Sequence, residues 1–490
     1  MRDLALAHTT LYRLRPDPSR VIARLFIPGQ ELTGGSEGRT LATVQRVLAL
    51  RDDEVSVAVS DLFERFSHRH ADLALTFERH ATRVVDYVDG SPLDATRRQL
   101  LGAVFTHEYA IEGTSVCNPS LVVDPDQSGV APEAVRVIMS LRAIGEGHIS
   151  SIGFRRGLID DRHVLTMEDA APFPEVARTS TTEINRDVVH GRLRDLGADG
   201  PTAAAVLDQL GRTFSPHALE SAISRIATQQ DTRLNVTESI FYIREAASLF
   251  YGTSFADDLD ISRRVLWPAT PAEERGMEDA RFVWVADGAT PHYRASYTAF
   301  NGHDVSQQLL RTSDFTHFTS QPLTGVGSQN KGLAFFPRRV GGRHLALSRH
   351  DRESNTLVSS RDSFHWENPI PLQVPQTPWD LVQLGNCGSP LETSEGWIML
   401  THGVGPMRTY SLSALLLDLE QPHLVRGHLS GPLRTVSGPE QDGYVPNVVY
   451  SCGGLIHRDI LHVCFGIADQ SIGHMTISVT ELLAAFVRVP

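Results

Sequence analysis

Two adjacent carboxylates, Glu278 and Asp279, stand in RGMEDARFVW (275–284), between a glycine turn and an apolar strand. Side chains alternate along a strand, so this spacing is expected to send one carboxylate into a site and the other away from it. A carboxylate so placed can give or take a proton; the ordinary alternative is a turn with a salt bridge to Arg281. CNPSLVVD (117–124) and SLRAIGEGHISSIGFR (140–155) add Asn118 on a proline-fixed turn, Arg142 on a strand, and Glu146 and His148 in a glycine-flanked loop. These are neutral donors and a cation suited to a polyhydroxyl ligand, although Asn-Pro is also a common turn dipeptide. A basic set follows. Lys331, in SQNKGLAFFPRR, is the only lysine among 45 Lys and Arg side chains. Arg349 ends HLALSR, His402 ends WIMLTH, and Tyr410 comes eight residues later. Each lies where a strand meets a loop, and together two cations, an imidazole and a phenol make a small anion pocket with charge-assisted hydrogen bonds. Taken singly, each also has an ordinary structural or surface role. Asp469, just past the strand LHVCFGIA, is a further candidate polyhydroxyl contact, or simply an Asp in a turn.

Strands of this kind need a scaffold that brings many strand ends together. From about residue 106 the chain runs through short β-rich stretches (SLVVD, VRVIMSLRA, RFVWVAD, YRASYTAF, HLALSR, NTLVSS, GWIMLTHG, LHVCFGIAD) divided by Gly, Asn, Asp and Pro. Many short strands with regular turn signals indicate a sandwich, barrel or propeller. RTSDFTHFTS (311–320) and SSRDSFHWEN (359–368) nearly repeat a pattern 48 residues apart. One four-stranded propeller blade takes roughly 40 to 50 residues, so this period selects a propeller of about five or six blades. Two segments differ. Residues 1–105 lead in with VIARLFIPG and then space Leu, Val and Phe three and four apart, predicting a mainly helical N-terminal unit. Residues 175–250 again carry helical spacing and N-cap residues, predicting a helical insertion within a domain spanning 106–490.

Bulk composition narrows the function. At 490 residues, 41% hydrophobic and 21% charged, the chain has the make-up of a soluble globular protein of more than one unit. No apolar run reaches the roughly 18 residues of a membrane span, and the first twenty residues do not resemble a secretory signal, so no membrane partner and a cytoplasmic location are expected. A net charge of −13 without basic runs argues against nucleic acid. Cys117, Cys387, Cys452 and Cys464 lack metal-ligand or disulfide-framework spacing, so buried free thiols and no bound metal are expected.

Taken in order, these stretches over about 106–490 resemble glycoside hydrolase family 130, the β-mannoside phosphorylases and related β-mannosidases. The elements that carry the resemblance are the Asn-Pro turn, the Arg142 strand, Gly-x-Glu-Asp-x-Arg, and the lysine before a Phe-Pro strand. The strand ending in Arg349, Thr-His-Gly-Val, Leu-Leu-Asp-Leu and the closing Ala-Asp turn complete the set. The resemblance implies a five-bladed β-propeller and an inverting phosphorylase that acts on short manno-oligosaccharides, β-1,2 linkages being one candidate. It implies that Asp279 is the general acid, its proton reaching the glycosidic oxygen through the substrate's own 3-hydroxyl. Phosphate would be the co-substrate, with no cofactor, and the product α-mannose 1-phosphate. It further implies that Lys331, Arg349, His402 and Tyr410 bind phosphate, and that Asn118, Arg142, Glu278 and Asp469 lie at the mannosyl unit. The phosphorylase is favoured over a β-mannosidase, in which Glu353, Glu392 or another acidic group would activate water, because the four anion-binding positions are all basic or hydrogen-bonding. A non-catalytic carbohydrate-binding propeller is the third reading. The chain departs from the family pattern at Ser348-Arg349-His350, at Phe300-Asn301-Gly302 and at Ala280. Acceptor choice and a homo-oligomeric state are left open.

Overall fold

Helices form near the N-terminus where apolar residues recur three and four apart: Ser36–Leu48, Asp52–Phe66, Leu73–Val84 and Ala95–Val104. The computed structural model describes residues 3–28, 36–88, 93–229, 234–286 and 291–489. The last residues of three runs read from sequence, Gly29, Gln230 and Asp287, lie outside these ranges. Asp72 and Asp94 cap two of the helices by accepting from the amides of Leu75 and Arg97 at 2.8 and 2.9 Å. Val44, Val55, Ala81, Val84, Leu101 and Phe105 meet in their core. Gly102 is required there, because a Cβ would stand 1.8 Å from the carbonyl oxygen of Phe77. An antiparallel pair of Val21–Leu25 with Thr106–Ala110 completes this unit, which comprises residues 17–113 and 171–175.

The second unit comprises residues up to Pro16, 114–170 and 176 onward. The boundary expected at 105/106 therefore moves, because Thr106–Ala110 pairs with Val21–Leu25 and stays with the helices. The first sixteen residues are also not part of the helical unit.

This second unit is mainly β and repeats one antiparallel theme. Ser115–Val123, Val135–Ile144 and Ser150–Ile159 pair in sequence order and are extended by Leu165–Met167. Gly276–Val285, His292–Phe300, Val305–Thr312 and His317–Pro322 form the second group, linked to the first by a single parallel pairing of Gly276 with Ser150. Ala334–Phe335, His344–Ser348, Asn355–Ser360 and Glu367–Gln373 form the third, and Gln383–Asn386, Gly396–Val404, Tyr410–Leu417 and Val425–His428 the fourth. The fifth contains Val449–Tyr450, Ile460–Ile467 and Ser471–Ser478, and its outer strand is Ala7–Leu14, from the start of the chain.

The short sequence repeat has a structural counterpart. Asp314 accepts from the amides of Thr316 and His317, and Asp362, 48 residues on, accepts from those of Phe364 and His365. Thr312 and Ser360 accept from Phe315 and Ser363, both of which have positive φ. The same side-chain-locked turn thus joins the third and fourth strands of two successive groups.

The helical spacing read in 175–250 corresponds to Arg186–Asp195, Pro201–Leu207, Pro216–Gln229 and Leu234–Ser248, around a core that includes Val189, Leu193, Val206, Ile223 and Ile243, whereas the start of the segment is β, Arg178–Thr181 pairing with Tyr251–Ser254. Asn185 caps the first of these helices. The four cysteines are buried free thiols. No helix among the described residues is long and apolar enough to cross a membrane.

Candidate active site

Two β-bulges build the centre of the site. In Gly276–Val285 the pairing with its neighbour shifts between Glu278 and Arg281, and Asp279 takes a left-handed φ of 57°. In Ser115–Val123 the pairing shifts between Cys117 and Ser120, and Asn118 has a φ of 49°. An extra residue breaks the two-residue alternation and re-aims the side chains beside it. Glu278 and Asp279 consequently do not point to opposite faces, as simple alternation predicts. Both turn to Arg142, whose Nη2 donates to Glu278 Oε1 at 2.7 Å and whose Nη1 lies 3.7 Å from Asp279 Oδ1. Asn118 Nδ2 donates to Asp279 Oδ1.

Of the other predicted residues, Lys331 touches this pair directly, and Arg349, His402 and Tyr410 form a second cluster. Lys331 Nζ contacts Glu278 Oε2 at 2.5 Å and lies 5.7 Å from the centre of the Phe300 ring. The neighbouring Asn330 donates to the carbonyl of Arg349 at 3.0 Å and so ties the Lys331 loop to the end of His344–Ser348. Arg349 Nη1 lies 3.3 Å from His402 Nε2. Arg349 only donates, so Nε2 accepts and the ring proton of His402 sits on Nδ1, facing Cys387 Sγ at 3.6 Å. The His402 ring stacks on Tyr410 with centroids 5.8 Å apart at 10°. Gly385 opposite leaves the space for that ring, since a Cβ there would stand 2.1 Å from His402 Cε1. Asp469 lies in the turn between Ile460–Ile467 and Ser471–Ser478 with a φ of 45°, its carbonyl accepting from Ser115 Oγ.

Sequence reasoning gave no site role to two residues that join these halves. Arg281 is fully buried; its Nη1 donates to the Asp279 carbonyl at 2.9 Å and its Nη2 to the Tyr450 hydroxyl at 2.6 Å. Tyr450 meets the His402 ring edge-on at 4.7 Å. The Gly-x-Glu-Asp-x-Arg motif carried a signal for Arg281, whereas Tyr450 had none because only packing brings it near. His148, in the loop after Val135–Ile144, bonds the Tyr444 hydroxyl and stacks on that ring 5.5 Å away. Of the two carboxylates named as water-activating rivals, Glu392 is clamped by Arg338 at 2.6 Å, and Glu353 is exposed.

The electrostatics divide the site. Burial pushes the Asp279 carboxyl up, but Arg142, Arg281, Lys331 and the Asn118 hydrogen bond together hold it below its usual range. Burial raises Asp469 to about 6, with Arg142 opposing and Asp279 adding to the rise. Burial, then Arg349 and Arg281, hold His402 well below the ordinary histidine range, so its imidazole is neutral. Arg142, Arg281 and Lys331 thus offset the charge of Asp279, while Asp469, raised to about 6, keeps part of its proton close to neutral pH. A site of this kind can hold a polyhydroxyl ligand against a proton-carrying carboxyl and accept an anion beside it.

Comparison with known proteins gives this site a class. Residues 259–488 match the glycoside hydrolase family 130 profile, described as beta-1,4-mannooligosaccharide phosphorylase. That stretch includes Glu278, Asp279, Lys331, Arg349, His402, Tyr410 and Asp469 but not the candidates Asn118, Arg142, Glu146 and His148. A 1,2-beta-oligomannan phosphorylase from Thermoanaerobacter sp. (strain X514) is 30% identical over 228 residues, 45% of this chain and 75% of that protein. A beta-1,2-mannobiose phosphorylase from Listeria innocua is 30% identical over 253 residues, 50% of this chain and 68% of the relative. A beta-1,4-mannooligosaccharide phosphorylase from Ruminococcus albus is 27% identical over 169 residues, 31% and 50% of the two chains. The solved complex of Listeria innocua β-1,2-mannobiose phosphorylase with β-1,2-mannobiose aligns with a TM-score of 0.46 at 19% identity, covering 76% of this chain and 92% of that one. The protein is therefore a member of a carbohydrate-active family built on a mainly β unit. It belongs to glycoside hydrolase family 130.

Proposed function

We propose that this protein is an inverting β-mannoside phosphorylase, with the five antiparallel groups as the blades of a five-bladed propeller. The observation that carries the reading is a cation cluster next to the acid: Lys331 contacts Glu278, and Arg349, tied to the Lys331 loop by Asn330, connects to Asp279 through His402, Tyr450 and Arg281. A hydrolase of the ordinary inverting kind needs a second carboxylate to activate water; a phosphorylase needs a place for phosphate. In the proposed reaction a phosphate oxygen bonds to the anomeric carbon as the glycosidic carbon–oxygen bond breaks on the opposite face. The Asp279 proton reaches the leaving oxygen through the sugar 3-hydroxyl, and α-mannose 1-phosphate leaves with the shortened saccharide. Asn118, Arg142 and Asp469 would hold the mannosyl unit. Lys331, Arg349 and Tyr410 would hold phosphate, with the neutral His402 orienting Arg349.

The acid must first acquire its proton. In the free site the surrounding cations favour ionised Asp279. A phosphate dianion bound beside Lys331 and Arg349 opposes that field and favours the protonated acid. Phosphate binding therefore arms Asp279. Short manno-oligosaccharides are the proposed substrates, β-1,2-linked ones first, and the expected setting is the cytoplasm, where a phosphate pool is at hand.

Hydrolysis is the second reading, and Asp469 favours it as a second carboxyl close to Asp279 with its pKa raised to about 6. Product analysis with β-1,2-mannobiose, in phosphate and in phosphate-free buffer, separates the two. Mannose 1-phosphate formed only with phosphate supports the phosphorylase; free mannose released at equal rates in both buffers refutes it. Asp279→Asn should abolish turnover in either case, and retained saccharide binding with no turnover in the wild type would point instead to a binding module.

A further inference from the structure

The sole lysine of the chain does not stand free at the anion pocket. Lys331 Nζ is engaged by Glu278 Oε2 at 2.5 Å, while Glu278 Oε1 takes Arg142 at 2.7 Å. The Glu278 side chain is only 5% exposed and both its oxygens are held by cations, whereas the Lys331 side chain is 32% exposed and open to an arriving ligand. A buried carboxylate fixed between two cations presents two charged oxygens where an oxyanion would present its own. We propose that Glu278 is a positioning residue that stands in for phosphate, holding Lys331 and Arg142 in place in the empty site and sharing or yielding Lys331 when phosphate arrives. This rests on the phosphorylase reading above.

The geometry also accounts for lysine at this position. An ammonium carries three rotatable donors on a flexible stem, so it can keep one on Glu278 and turn others to phosphate. A guanidinium at the same place would lay its planar fork across the carboxylate and remain there as a bidentate pair. The Phe300 ring, 5.7 Å from the ammonium, gives the cation an apolar wall without a competing hydrogen bond. The bulge at Asp279 is what permits the arrangement, since it brings Glu278 to the same side as the acid. Phosphate affinity is then set by competition: each bound phosphate must share Lys331 with, or draw it from, a partner already present.

Steady-state kinetics on Glu278→Gln, with phosphate and mannoside varied separately, test this, and calorimetric titration with inorganic phosphate alone gives binding without turnover. The amide keeps the shape but loses the charge, so phosphate KM and Kd are expected to fall about five- to ten-fold while kcat drops, Arg142 having lost its partner. An unchanged or raised phosphate KM together with a raised mannoside KM would make Glu278 an ordinary sugar contact and overturn the proposal. Lys331→Arg provides the second arm, independent of whether Glu278→Gln folds. It keeps the charge yet is expected to weaken phosphate binding about ten-fold or more, and combining it with Glu278→Gln should restore part of the loss. Phosphate binding to Lys331→Arg as tight as to wild type, or strictly additive effects in the double variant, would refute the competition. Wild-type turnover independent of phosphate, with no phosphate binding, would instead remove the phosphorylase reading itself.

Discussion

Asp279 and Asp469 carry the same functional group in one site and are driven apart by their neighbours. Asp279 is held ionised by Arg142, Arg281 and Lys331 against its burial, so an anion that offsets those cations must shift its proton equilibrium. Phosphate binding is therefore expected to take up protons. Calorimetry in buffers of different ionisation enthalpy measures this, and the uptake should shrink in Asp279→Asn. Asp469 behaves in the opposite sense. The unfolded chain loses this proton at about pH 4, while the folded chain keeps it to about 6. The native state then binds more protons than the unfolded state between these values, and the contribution of Asp469 to stability falls as pH rises through them. Asp469→Asn should melt with the wild type below about pH 4 and above it at about pH 7, where the wild-type carboxylate is ionised in an unfavourable place.

At the scale of elements, bulges and close glycine contacts do the positioning. Gly385 leaves room for the His402 ring, and that ring meets Arg349, Tyr410 and Tyr450. Gly385→Ala is expected to push the ring away and to destabilise the protein by about 1–3 kcal/mol, as overpacking of a filled core does. Activity should fall further than stability accounts for, chiefly through a raised phosphate KM, because Arg349 loses its orienting partner. A variant with normal kinetics and only a lower melting temperature would show that His402 does not orient Arg349. The helices, by contrast, followed directly from apolar spacing, in the N-terminal unit and in the insertion alike. Their cores form between neighbours in sequence, which is why periodicity is enough to predict them.

At the scale of the whole molecule, the ends of the β unit meet. Ala7–Leu14 pairs with Ser471–Ser478, Leu4 donates to Pro432 O at 2.8 Å, and Asp3 accepts from Thr435. The start of the chain therefore fastens the fifth group and reaches the fourth. Removing residues 1–16 should lower the melting temperature by several degrees and leave the backbone edge of Ser471–Ser478 unpaired, so that the truncated protein associates in a concentration-dependent way. Thermal melting and light scattering check this. An unchanged melt would mean that the first strand is an ornament on a unit already complete.

Residue types and their order by themselves determined a good part of this protein. They set the alternation of helical and β-rich segments, the repeated Asp turn, the buried thiols, and the family, through Gly-x-Glu-Asp-x-Arg and the basic and histidine-bearing strand ends that follow it. Tertiary structure decided the rest. Strand alternation predicts Glu278 and Asp279 on opposite faces, yet a one-residue bulge, stabilised by pairing with a neighbouring strand, turns both to Arg142. Nothing local in AHTTLYRL announces a partner more than 450 residues away. Tyr450 enters the site only because Arg281 and His402 are packed beside it. Local pattern encodes what neighbouring residues can do to one another. Which carboxylate faces which cation depends on strand pairings between distant segments, and these exist only once the chain has folded.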